Sequence, residues 1–238
     1  MIQSAARQIT TLAENSRLLI DSLLPKRCPL CSTRTNQGFC TNCQQLLPWI
    51  ISGCEICGSE LHEVGVCGNC LSIRPHYDHS VIPFRYSEPV SGKIQALKYH
   101  YQLQYVSTLS EMICLRVWKD PYPLPQVLIP VPLHRNRLRQ RGFNQALEIA
   151  KVIGRQLGIA VNSSLLERDT DTAPQTALGE AERISNLNHA FKATCPIRLA
   201  HVALVDDVVT SGSTVNAAAR TLKHAGVDTV SILAVATT

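Results

Sequence analysis

The sequence predicts an α/β protein, a Rossmann-like parallel sheet flanked by helices and preceded by a small cysteine-rich module. Three observations carry that expectation. Eight of the ten cysteines lie between Cys28 and Cys70 as four Cys-x-x-Cys pairs. Val127-Leu-Ile-Pro-Val-Pro-Leu133 is almost wholly apolar, as a strand covered on both faces is. His201 to Val205, Val215 to His224 and Thr229 to Val235 read as strand, helix and strand at the spacing of a parallel βαβ unit.

The chain of 238 residues is too long for one typical domain and too short for two large ones. The expected boundaries are an amphipathic helix over 1–27, the cysteine module over 28–75 and the α/β domain over 76–238. No apolar run approaches the ~20 residues that span a bilayer. Arg7, Glu14, Arg17 and Asp21 interrupt the first apolar segment, and no small-residue cleavage site follows. A cytoplasmic protein without a membrane span is expected. Disulfides, the ordinary reading of dense cysteines, belong to secreted chains and fit this one poorly.

Cys28/Cys31, Cys40/Cys43, Cys54/Cys57 and Cys67/Cys70 are half-sites in which a tight turn presents two sulfurs to one tetrahedral ion. Two four-cysteine zinc sites follow. The simplest pairing joins Cys28, Cys31, Cys40 and Cys43 at one ion and Cys54, Cys57, Cys67 and Cys70 at the other, although an interleaved arrangement would use the same residues. Closed four-thiolate shells leave no position for water, so Zn2+ here is expected to be structural. An iron–sulfur cluster is the weaker fit to these hairpin-sized spacers. With only Arg34 and Arg74 as cations between Cys28 and Pro75, the module is a poor phosphate binder and a better scaffold or docking element.

Val81 to Tyr86 reads as a strand. Pro89 to His100 reads as a helix with Ile94, Leu97 and Tyr101 on one face and Lys98 beside it, and Val106 to Lys119 as a second helix with Cys114 as an apolar filler. After the strand 127–133 comes a loop with Arg135, Arg137, Arg139 and Arg141, then a helix whose Leu147, Ala150, Ile153 and Leu157 are spaced for burial, closed by Gly158. Residues 85–155 carry a net charge of +7, more than the whole chain's +5. A solvated basic face is the usual fate of such a run, but loops at the carboxyl ends of parallel strands are where α/β folds place ligands.

Between the second strand and its helix lies Asp206-Asp-Val-Val-Thr-Ser-Gly-Ser-Thr214. Gly212 lets the backbone approach an anion. The hydroxyls of Thr210, Ser211, Ser213 and Thr214 add donors, and the helix N-terminus adds exposed N–H groups. Asp206 and Asp207 would repel a phosphate, so they must face something else. A ribose bearing a 5′-phosphate, with associated Mg2+, answers both needs.

The pattern from Val202 to Thr214 resembles the ribose-phosphate signature of type I phosphoribosyltransferases. The four cysteine pairs, Leu97-Lys-Tyr99, Pro130-Val-Pro132, Arg139-Gln-Arg-Gly-Phe-Asn-Gln145, Gln175, Glu182-Arg183, Asn186-Leu187 and Ala190-Phe191 together resemble the competence protein F family, over nearly the whole chain. The resemblance implies a type I phosphoribosyltransferase fold behind a double zinc ribbon, and phosphoribosyl pyrophosphate as ligand. It implies that Pro132 to Arg135 is the pyrophosphate loop, with Leu133, His134 and Arg135 as its contacts, and that Arg168 to Arg183 covers the site.

Two functions follow as expectations. One is a protein of natural transformation that handles incoming single-stranded DNA, with the +7 segment as an electrostatic track, Tyr99, Tyr101 or Tyr105 for stacking, and a competence helicase or uptake-channel protein as partner. The other is a Mg2+-dependent phosphoribosyltransferase of nucleotide salvage or metabolism. There Asp206 and Asp207 hold the ribose hydroxyls and stabilise developing charge, while Lys98, Arg139 and Arg141 add phosphate contacts. No acceptor-reading motif is visible.

Overall fold

The computed structural model describes residues 26–169 and 190–238. The helix expected over 1–27 therefore falls almost wholly outside the described residues, as does all but the start of the covering segment 168–183. The chain divides into two compact units after Leu46.

In the first unit, strand β1 (Lys26–Arg27) pairs antiparallel with β2 (Arg34–Thr35), and helix α1 (Thr41–Gln44) follows. The turn between the strands is closed by Cys28 N–H donating to Thr33 O at 2.9 Å.

The second unit opens with a similar but larger turn system. Gly58 adopts a left-handed φ of 73°, and its N–H donates to Cys54 O. Helix α2 (Gly68–Ser72) starts at Cys67, whose sulfur accepts from Cys70 N–H. The main sheet follows. Strand β3 (His79–Val81) and β4 (Phe84–Arg85) stand where one strand over 81–86 was expected, and both pair with the last strand of the chain. Pro83, without an N–H to donate, falls at the interruption.

Helix α3 (Val90–His100) and helix α4 (Gln104–Val117) bury Ile94, Leu97, Leu109, Met112, Ile113 and Cys114 completely. Tyr101, expected on the inner face, instead takes a left-handed φ of 55° as the α3 cap and is 59% exposed. Strand β5 (Val127–Pro130) leads through α5 (Arg135–Arg141) to α6 (Gln145–Leu157) and β6 (Ala160–Val161). The inner face of α6 is Ala146, Ile149, Ala150 and Ile153, with Leu147 and Leu157 only half-buried, a register shifted from the expected one. Gly154 is what lets β6 close on α6: an added Cβ would stand 2.6 Å from Ile159 O.

Strands β7 (Leu166–Arg168) and β8 (Phe191–Ala193) form a separate antiparallel pair. The nine-residue strands β9 (His201–Val209) and β10 (Thr229–Thr237) bracket α7 (Ser213–His224) and build the sheet centre. The order is β3-β10-β9-β5-β6 with β4 beside β10, and every pair is parallel. Side chains alternate accordingly. Val202, Leu204 and Ile129 join the cluster that contains Val215, Ala218 and Leu222 of α7, while Ala203, Val205 and Leu128 are equally buried outside it. At the amino ends of β5 and β9, Gln126 Oε1 accepts from both Ala200 N (2.8 Å) and His201 N (3.1 Å).

Candidate functional site

Crossovers leave β5 toward β6 and β9 toward β10, in opposite directions along the sheet. The switch point is between β5 and β9, and ligands of open parallel sheets bind outside the carboxyl ends of the strands at such a point. The 131–135 turn and the 210–212 loop are the segments that leave those two ends.

Alternation along β9 sends consecutive acids to opposite faces. Asp207 is 3% exposed, and its Oδ2 lies 3.0 Å from Lys98 Nζ of α3. That pair is an ion contact without hydrogen-bond alignment, and it leaves Oδ2 buried with no hydrogen-bond partner among the described residues. Asp206 accepts from Asp207 N–H at 2.8 Å. Burial, with the Asp207 charge beside it, pushes the Asp206 carboxyl up to about 8.

Beyond the acids, Gly212 caps α7 with a φ of 72°. Any side chain there would force a left-handed backbone that L-residues avoid. Thr210 and Ser211 are exposed, and Ser211 Oγ and Ser213 Oγ approach to 2.9 Å. The first N–H groups of the twelve-residue α7 have no intrahelical partner, and with these hydroxyls they form an anion cradle.

The opposite wall is the turn from Pro132 to His134. Val131 N–H donates to Val205 O at 2.9 Å, and His134 caps α5 by accepting from Asn136 N–H. Asn144 accepts from Ala146 N–H to start α6 and donates Nδ2 to Val131 O at 3.0 Å, which holds the turn to the helix. Gly142 ends α5 with a φ of 73°. Lys98 is thus brought to the acids themselves. Arg135 and Arg139 are exposed on α5, and Arg141 donates to Gln145 Oε1 and lies 5.6 Å from the Tyr99 ring centroid.

The cysteines form two sequential groups, Cys28/Cys31/Cys40/Cys43 and Cys54/Cys57/Cys67/Cys70, with the ligand atoms of each group within 4.8 Å of one another. The interleaved pairing is excluded. Sulfur separations of 3.5 Å (Cys31 to Cys40) and 3.7 Å (Cys57 to Cys67) match the edge of roughly 3.8 Å that four 2.3 Å zinc–sulfur bonds impose. Cys67 N–H donates to Cys54 Sγ at 3.3 Å. Such donors stabilise thiolates, and the residues fit Zn2+ at both centres.

Three residues of this neighbourhood have no local sequence signal. Tyr77 is 5% exposed, its hydroxyl is the nearest atom to a Cβ added at Gly212, and burial, with the thiolates nearby, raises its phenol. His76 N–H donates to Asn216 Oδ1 of α7 at 2.7 Å, across 140 residues of sequence. These contacts run from the second cysteine centre to the back of the anion cradle.

Fold and metal centres together define a parallel α/β protein carrying paired zinc ribbons. The double zinc ribbon domain model matches residues 19–71. The chain is 36% identical over 206 residues to competence protein F of Haemophilus influenzae, covering 82% of this chain and 88% of that protein. It is 31% identical over 217 residues to the DNA utilization protein YhgH of Salmonella typhi, covering 88% and 96%. Competence protein ComFC of Bacillus subtilis is 24% identical over 204 residues, 81% of each chain. The chain belongs to the competence protein F family. Among the described residues, no helix is long and apolar enough to cross a membrane.

Proposed function

We propose that this chain is a phosphoribosyl pyrophosphate-binding protein of the DNA-uptake machinery that handles incoming single-stranded DNA. The observation that carries the ligand is the acid pair and the Gly212 cradle on one strand-to-helix connection at the sheet's switch point. Asp206 and Asp207 accept from the ribose hydroxyls, and residues 210–214 hold the 5′-phosphate. Leu133 to Arg135 face the pyrophosphate, whose charge Mg2+ offsets. Lys98, 3.0 Å from Asp207, holds that carboxylate in place. The names of the relatives, competence and DNA utilization, support the biological setting.

The exposed rings of Tyr99 (65%) and Tyr101 (59%), with Arg141 beside the first, support a DNA track on the basic side of the molecule. Inward packing, the ordinary reading of those rings, is not what α3 does with them. Such a role places the chain in the cytoplasm with a helicase or channel protein as partner.

Titrating Mg2+ and phosphoribosyl pyrophosphate into the protein and into Asp206→Ala/Asp207→Ala tests the reading. Binding that the double variant abolishes, with DNA affinity kept and transformation lost, supports it; equal binding by both proteins overturns it. A second reading, turnover, rests on the acid pair near the carboxyl end of β9, where ring charge would develop. Pyrophosphate release with any base or amine would establish that reading.

A further inference from the structure

A cavity of about 530 Å³ lies on the other flank of the phosphate loop. Its walls include Val209 to Ser213 but not Asp206, Asp207, Lys98 or the 131–135 turn, so it is distinct from the ribose side of the cradle. The far wall is the second cysteine centre, through Cys57, Cys67 and Cys70. Its volume is that of a small-molecule site.

The lining selects the ligand. No Lys, Arg, Asp or Glu contributes to it. A four-thiolate zinc centre carries a formal charge of about −2, so away from the 210–213 edge an anion faces that charge with no side-chain cation to hold it. The polar groups are neutral: Ser59, Asn69, Ser72 and Asn216 beside the loop hydroxyls. Asn216 Oδ1 is taken by His76 N–H, which leaves its amide N–H groups as donors, while Asn69 offers a donor and an acceptor. Ile73, Pro75 and Tyr77 supply flat apolar surface, and Ile73 is 82% exposed at the rim. A planar, uncharged ring with alternating donors and acceptors on its edge suits these walls.

We infer that this cavity is a nucleobase site, separate from the sugar-phosphate cradle and sharing the 210–213 loop with it. The choice of a nucleobase over other neutral heterocycles rests in part on the nucleic-acid reading above; the position and the neutral lining do not. The base comes either from a free nucleoside or from an unpaired base of a single strand.

The test uses the zinc-loaded full chain. Adenosine, cytidine, guanosine and thymidine, then a short single strand lacking a 5′-phosphate, are titrated by calorimetry and amide NMR, with phosphoribosyl pyrophosphate titrated separately. Ser72→Trp fills the cavity from an exposed position, and Asn69→Leu removes a hydrogen-bonding edge. Expected are shifts at Ser72 and Asn216 and an affinity that Ser72→Trp lowers about tenfold or more, with the sugar phosphate bound as before. Stronger binding of the strand than of any nucleoside assigns the base to DNA, and the reverse assigns it to the free compound; both support the site. No nucleoside or strand binding at these residues, an affinity unchanged in both variants, or loss of the sugar phosphate in Ser72→Trp overturns it. Nucleoside binding that Ser72→Trp abolishes, in a protein that never binds the sugar phosphate, supports the cavity and overturns the sugar-phosphate reading.

Discussion

The two cysteine centres share the Cys-x-x-Cys half-site, ligand set and sulfur geometry, yet one belongs to a unit of its own and the other to the sheet domain. In the first, Cys31 is exposed, and the elements around it among the described residues are a two-residue strand pair and one helical turn. In the second, Cys54, Ile56 and Cys70 share a buried cluster with Val215 and Ala218 of α7 and Ile232 of β10. Glu55 O also contacts His79 Nδ1 at 2.9 Å, and His79 Nε2 meets Asp120 at 2.8 Å. The same metal chemistry therefore has a local consequence in one place and a consequence for the sheet domain in the other.

Breaking that asymmetry gives the largest expected effect. Cys54→Ser or Cys70→Ser should cost several kcal/mol of sheet-domain stability, because zinc binding energy is folding energy. Thermal melts should fall by about 10 °C or more. Cys31→Ser should leave the melt of the sheet domain within about 2 °C of wild type and its sugar-phosphate affinity within about twofold. Equal losses from both centres would show that the division after Leu46 has no energetic meaning.

Next in size is the ion pair at the acid end of β9. Lys98→Met leaves the buried Asp207 uncompensated and should cost about 3 kcal/mol of stability, read by urea unfolding. Asp207→Asn should recover most of that cost in the double variant. It should still weaken sugar-phosphate binding, by about a hundredfold, if charge-assisted acceptance from ribose is what the acid supplies.

A pH series sharpens the roles of the two acids. The Asp206 carboxyl is raised to about 8, so its proton-bound form is the one the fold favours. Its contribution to stability is fully present below the ordinary carboxylate range and is lost as pH rises through about 8. Ligand binding that needs the ionised acid runs the other way. Affinity for the Mg2+ sugar phosphate should rise about tenfold or more between pH 6.5 and 8.5, and Asp206→Asn should flatten both slopes.

The smallest effect concerns the tyrosine and arginine face. Tyr99→Ala should weaken single-strand binding by about 1–2 kcal/mol without changing its salt dependence. Arg141→Ala should lower the salt slope by about one unit.

Much of this was legible in the sequence because its signals are local. Four Cys-x-x-Cys pairs, a strand ending in two acids and a glycine before a helix lie within short windows. What escaped was set at a distance. Sequential and interleaved metal pairing use identical residues, and only the fold of the hairpins separates them. The split between β3 and β4 follows from one proline, and the outward turn of Tyr101 from a left-handed cap that helical periodicity does not foresee. No local pattern foretells that Lys98 meets Asp207, 109 positions on. His76 and Asn216 carry no pattern that would join them.

Gln126 lies at the amino end of the sheet, far from the acid pair, yet it helps decide which acid is which. By accepting from Ala200 and His201, it helps fix the phase in which β9 enters the sheet beside β5. A strand that slipped by one residue would exchange faces along its whole length. Asp206 would then face Lys98, and Asp207 would take the opposite side. The identity of each carboxylate is thus assigned at the amino end of the sheet, by an amide that touches neither.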